Sequence, residues 1–204
     1  MAFYGLSKPM IAKLDMKTGK YSDGFQLGHA VGTDVDPQYN ESNLFGDNQM
    51  KETVKEFKYA DVSVTTTHMP IHAAEVIFGH KVDMEKNKVT YNTGDSANYV
   101  GYGFYANEKV DGVVKCVAAI LPKVLFAEAA ENYTTKGENI EFKTPSISGK
   151  GMALEDGVWK EKQTFDNEAD AVAFIKEYLN ITDITVDINK PSGGGTEETN
   201  LSGE

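Results

Sequence analysis

The chain has 204 residues, 40% of them hydrophobic and 25% charged, which suits one domain with a real core plus an appendage. Acids outnumber bases 31 to 20, leaving a formal net charge of −11, and every base is a lysine. That balance excludes a DNA-gripping surface built on Lys and Arg, and without arginine there are no bidentate phosphate clamps. Cys116 is the single cysteine, so neither an intrachain disulfide nor a cysteine-based metal site can form. It sits in the apolar run Val113-Val-Lys-Cys-Val-Ala-Ala-Ile-Leu121 and reads as an inert core thiol. The N-terminus lacks the basic and apolar regions of a signal peptide, and no apolar run reaches membrane-spanning length. The expectation is a soluble protein that stays in the compartment where it is made.

In chain order, Met10, Ala12 and Leu14 alternate with Ile11, Lys13 and Asp15 as a first strand, closed by a turn at Lys17-Thr-Gly-Lys20. Residues 25–33 read as a second strand, weakened by Gly28 and Gly32. Residues 34–48 read as a long acidic loop with four acids and no base, carrying the apolar Tyr39, Leu44 and Phe45. A long ordered loop in a compact domain usually has a task, and apolar anchors without convergent catalytic groups point to gripping another protein. Residues 49–58 then suggest a strand, paired with the next strand at 60–67, where Val62 and Val64 face inward and Asp61, Ser63 and Thr65 outward.

Residues 69–78 suggest a helix with Pro70 in its first turn and Gly79 as C-cap. Strands follow at 88–91 and 99–105, the latter with Tyr99, Gly101, Gly103 and Tyr105 on one face. Lys109-Val-Asp-Gly112 turns the chain into a strand over 113–121 that should be covered on both faces, extended beyond Pro122 to Phe126. A further strand is expected over 139–144, after which Gly149, Gly151 and Gly157 loosen the chain. A second helix over 167–179 has Asp166 as N-cap and an apolar face of Ala171, Phe174, Ile175 and Tyr178. Ile184, Val186 and Ile188 allow one last strand before a flexible, acidic, Gly-rich tail, so the expected division is 1–180 as the folded domain and 181–204 as the tail. The sum is a mainly β core with one or two flanking α-helices and a long inter-strand loop.

Catalytic signatures are weak. His68 and His72 stand four apart near Glu75 and His80, but Met69 occupies the place a zinc-protease helix gives to glutamate, and Pro70 disturbs the shared face. Neither a phosphate-binding Gly-rich loop nor a nucleophile elbow occurs. The Asn-x-Ser/Thr triplets at Asn40, Asn132 and Asn180 read as coincidences in a chain with no secretion signal. Tyr99, Tyr102, Phe104 and Tyr105 could stack a sugar, as in a carbohydrate-binding β-sandwich, although aromatic strand pairing is the commoner reason for such a cluster. The expectation is a non-catalytic binding or assembly protein without cofactor or metal.

Several strings resemble the major tail proteins of long-tailed bacteriophages. They are Gly5-Leu-Ser-Lys-Pro-Met-Ile-Ala-Lys-Leu14, Tyr21-Ser-Asp-Gly24, Ala30-Val-Gly-Thr-Asp-Val-Asp-Pro-Gln-Tyr-Asn-Glu41 and Leu44-Phe-Gly-Asp-Asn48. Further on come Ala73-Ala-Glu-Val-Ile-Phe-Gly-His80, Asn98-Tyr-Val-Gly-Tyr-Gly-Phe-Tyr105, Leu121-Pro-Lys-Val-Leu-Phe-Ala127, Phe142-Lys-Thr-Pro145 and Gly157-Val-Trp-Lys160. The resemblance implies a β-sandwich or half-barrel tail-tube subunit in the virion tail, made in the host cytoplasm. It implies homo-oligomeric, hexameric rings stacked into a tube that the viral DNA traverses without specific binding. Partners would be the tape measure protein, the tail terminator and the distal tail or baseplate proteins, with no membrane involved. A tail terminator or neck connector shares the ring architecture and is the nearest alternative.

The loop after the early strands would contact neighbouring subunits, which makes Tyr39, Asn40, Leu44, Phe45 and Asp47 the candidate assembly residues. Members of that family often add an immunoglobulin-like domain, which is expected here to be missing or reduced to a linker. A bore for DNA should repel phosphate, and the −11 charge suits it. Glu52, Glu56 and Asp61 are the candidate lumen acids.

Overall fold

The structure, a computed structural model, describes residues 2–128 and 144–182. It is mainly β and antiparallel. The strands are β1 (Ala2–Leu14), β2 (Tyr21–Gln26), β3 (Ala30–Gly46), β4 (Gln49–Thr66), β5 (Lys81–Asp83), β6 (Lys88–Thr90), β7 (Tyr99–Val110), β8 (Val113–Ala127), β9 (Ser146–Gly151) and β10 (Glu161–Phe165). Two helices join them, α1 (Ala73–Phe78) and α2 (Glu168–Tyr178). Neither is long and apolar enough to cross a membrane.

The main sheet has the order β2-β1-β7-β8-β9-β4-β3, and β10 also pairs with β8. β8 is therefore shared: Cys116 to Ile120 pair with β10, and Val124 to Ala127 with β9. Every residue of β8 from Cys116 to Pro122 is buried, as a strand covered on both faces requires. Odd-numbered Leu121 joins Ile11, Val62, Val64, Tyr102, Phe126 and Ile147 in one core, which α1 closes with Ala73, Ile77 and Phe78. The sheet curls around this core far enough that the Thr33 and Tyr102 hydroxyls hydrogen-bond at 2.7 Å. Each fully buried side chain of this size contributes about 1.5–3 kcal/mol of transfer free energy.

On the other face, even-numbered Cys116, Ala118 and Ile120 meet Met10, Ala12, Tyr105 and the Ala171, Ile175 and Leu179 side of α2. Gly101 and Gly103 make that seat. A Cβ at Gly101 would lie 2.5 Å from Leu179, and one at Gly103 would lie 2.6 Å from Ile175. Burial pushes the Cys116 thiol above its usual range, so the inert-thiol expectation has a physical basis.

The second helix begins one residue later than its sequence suggests. Asn167, not Asp166, is the N-cap, its Oδ1 accepting from Asp170 N at 2.9 Å. Asp166 is instead paired with Lys115. Asn167→Ala should lower the unfolding free energy by about 1 kcal/mol, measurable in urea titrations, while Asp166→Ala should have less than half that effect.

Four expectations need correction. The segment 34–48 is not a loop but strand β3, joined to β4 by a two-residue turn, Asp47-Asn48, with φ of 52° and 60°. Those angles are the left-handed pair of a type I′ hairpin turn, formed here without the usual glycine. Residues 49–58 and 60–67 do not pair with each other. They form the single strand β4, whose partner along its length is β3. The strand expected over 25–33 breaks at Gly28, whose φ of 80° ends β2 before β3 begins. The glycine-rich stretch at 146–151 is strand β9, and β10 had no expectation at all. The strand expected over 139–144 lies, but for Thr144, outside the described residues, as do Ile184, Val186, Ile188 and the tail.

Helix α1 is shorter than 69–78: Pro70 to His72 form a turn ahead of it, and Gly79 caps it in the left-handed conformation as expected.

Candidate assembly surface

β9 pairs with β4 only from Ala60 to Thr65. From Gln49 to Tyr59, β4 therefore has β3 as its one strand partner among the described residues, and the two extend as a free ribbon. Some eleven residues at about 3.3 Å each carry it roughly 35 Å beyond its last rung to β9. A lone two-stranded ribbon is marginal in water. Its root is held by an aromatic stack in which Phe57 lies on Trp159 at 4.6 Å, with Tyr39 edge-on to Phe57 at 6.1 Å.

The register sorts the ribbon into two faces. One carries Tyr39 and Phe57, then the Glu41–Lys55 ion pair at 3.0 Å, then Asn43 accepting from the Thr53 hydroxyl at 2.7 Å. The other carries Asn40, Ser42 and Leu44 opposite Glu56, Val54 and Glu52. Near the tip the register slips. Leu44 faces Glu52 while Phe45 faces Met50, which leaves Lys51 as the extra residue of a bulge.

The five candidate assembly residues thus share one element. Tyr39 (51%), Leu44 (61%) and Phe45 (67%) are largely exposed, far beyond what isolated packing would leave for side chains of this size. Asn40 is a face residue beside Glu56, and Asp47 makes the turn. Met50 and Val54, also exposed, were missed because the segment carrying them looked like an ordinary paired strand.

The three candidate lumen acids are not brought together. Glu52 and Glu56 share the Leu44 face of the ribbon, with no lysine in its register. Asp61 lies over the core and binds Lys150 at 3.1 Å, a contact that raises the lysine's affinity for its proton. Lys150 also sits 3.6 Å above the Tyr59 ring, at the rim of an open groove of about 780 Å³ whose lining includes Asp34, Asp36 and Tyr99. Asp61 is a charge-compensated acid; Glu52 and Glu56 keep the ribbon's one wholly acidic face.

Exposed apolar side chains also gather at the corner where β1 starts and β7 turns into β8, Phe3, Val110 and Val113 on one face of the sheet and Tyr4 and Val114 on the other. Phe3 and Tyr4 pair with Glu108 and Asn107, and Val110 with Val113 across the turn Asp111-Gly112. Phe3, Tyr4, Val110, Val113 and Val114 are all exposed, with Lys162 5.4 Å above the Phe3 ring. Two valines directly after a tight turn, where solvent-facing positions usually hold polar residues, were the signal in the sequence.

The aromatics of the sugar-binding alternative do not form a platform. Tyr102 and Phe104 belong to the core under α1, Tyr105 to the face under α2, and Tyr102 is fully buried. The histidines also part company. His68 faces His29, His72 packs on Phe25, and His80 Nδ1 binds Asp95 Oδ2 at 2.8 Å. Among the described residues no three His, Cys, Asp or Glu side chains are placed to hold a metal.

The His80 contact, with help from the Asn92 amide, holds the Asp95 carboxyl below its usual value of 3.8. A carboxylate with a depressed folded pKa stabilises above its unfolded value and loses that contribution as pH falls through the folded one. Urea midpoints should therefore drop below about pH 3.8 in the wild type, and by less in Asp95→Asn.

No protein-family model matches the chain, and no curated protein matches it.

Proposed function

We propose that the protein is a non-catalytic, self-assembling subunit of a phage tail tube, built as stacked rings through which the genome passes. The ribbon carries this reading. A strand pair of this length, with large apolar side chains on both faces and only two strands to hold it, gains its stability by lying against another copy. The curled sheet with one helix on its outer face suits the tube-subunit architecture that the sequence resemblance implies. Two open sheet edges, β2 and β3 among the described residues, offer pairing groups that ring closure would satisfy.

The charge balance supports the same reading. With a net charge of −11 and no arginine, each subunit repels phosphate, which lets DNA slide instead of being retained by salt-sensitive contacts. On this reading the subunit resides in the virion tail and meets the tape measure protein inside the tube and terminator or baseplate proteins at its ends.

Negative-stain microscopy of the concentrated protein tests it. Long tubes of uniform diameter are the expected result, and single rings would favour a terminator or neck role. A monomer at high concentration, together with normal tails on virions lacking the gene, would refute the proposal.

A further inference from the structure

β4 and β8 are both antiparallel to β9, so they run in the same direction. Gly151 pairs with Ala60 on one side and Val124 on the other, which sets those two residues level. Counting back ten residues on each strand brings Met50, near the ribbon tip, level with Val114 at the β7–β8 corner. The exposed ribbon tip and the exposed corner therefore lie at the same end of the subunit. Within one chain β10 occupies the edge of β8 between them, pairing at Cys116 to Ile120.

We propose that the β7–β8 corner, with Phe3 of β1, is the receptor for the ribbon of the neighbouring copy within the same ring. This rests on the tube reading above and names the surface the ribbon fits. Two surfaces at the same axial level meet when copies are related by rotation about an axis along the strands. Copies stacked along that axis would bring opposite ends together. Both surfaces are apolar at the centre, with Leu44 and Val54 on one and Phe3, Val110 and Val113, which share a face, on the other. Their borders are complementary in charge. Glu52 lies opposite Leu44 and Glu56 further along the same face of the ribbon, while exposed Lys162 lies over Phe3 at the corner. Apolar centres with opposite charge at the rim are what a specific interface needs.

The single natural cysteine makes a cross-linking test clean. In a Cys116→Ala background, Leu44→Cys and Val113→Cys are combined and the assembled protein is oxidised. A non-reducing gel should show a ladder that stops at the number of subunits in one ring. A ladder running past that number would mean that ribbons reach into the next ring, which overturns the placement. Intact tubes with no cross-link overturn it as well, and leave the tube reading standing. A background protein that never assembles defeats both.

Charge reversal gives an independent readout that needs no cysteine. Glu52→Lys and Lys162→Glu should each slow polymerisation severalfold, followed by light scattering, and their combination should restore most of the rate. Additive slowing in the double variant would overturn the pairing.

Discussion

Leu44→Asp combined with Phe45→Lys should abolish tube formation while leaving the subunit folded. Both side chains are more than half exposed, so the change removes few contacts within the chain. Substitutions at such positions usually alter folding stability by no more than about 0.5 kcal/mol. In an assembled ring the same two positions would bury charge without a partner, at about 2–5 kcal/mol per copy, repeated at every contact. Circular dichroism and the urea midpoint should match the wild type, while sedimentation shows only small species. Tubes forming at wild-type concentration would mean that the ribbon tip is not an assembly surface. Val31→Asp, another exposed apolar position but away from the ribbon tip, is the control and should assemble normally.

Gly149→Ala should have the largest effect on the fold itself. Gly149 sits where β9 is squeezed between β4 and β8, and a Cβ there would lie 2.4 Å from the Leu125 carbonyl oxygen and 2.8 Å from Phe126 Cα. Both are backbone atoms, so no rotamer change can relieve the clash. The strands must separate, which breaks the ladder that attaches β4 to the rest of the sheet. A loss of about 3 kcal/mol is expected, at the upper end of what overpacking costs. Gly32→Ala on β3 provides the comparison, since a Cβ there meets nothing within 4 Å, and its urea midpoint should stay within error of the wild type. Equal midpoints for the two variants would contradict the packing described at β9.

The contrast between these two strands explains what could be read from the sequence. The β7–β8 hairpin and α2 were legible because burial imposes a pattern: glycine and aromatic residues in turn up to Tyr105, apolar residues at both parities from Cys116, and Ala171, Phe174, Ile175 and Tyr178 on one side of a helix. β3 was not, because both its faces are wet beyond Tyr39 and nothing selects for alternation there. Pro37 and the run of Asp, Asn and Ser are poor strand formers, and they are tolerated because β3 is an edge strand among the described residues. β9 was hidden for the opposite reason. Its glycines, which look like looseness in a sequence, are demanded by crowding on both sides. Of the candidate site, Tyr39, Leu44 and Phe45 were legible as residues too apolar for their setting, and the structure leaves all three exposed. The proposed receptor was not legible, because a patch assembled from β1, β7 and β8 is a fact of register and topology.

One strand of 18 residues, β4, runs without interruption from the ribbon tip into the core, where Val62 and Val64 are buried. A pull on the tip is thus directed along the backbone to the rungs between Ala60 and Thr65, which share the load simultaneously instead of unzipping in turn. In the proposed assembly, a load applied at the ribbon tip would meet each subunit in its mechanically strongest direction.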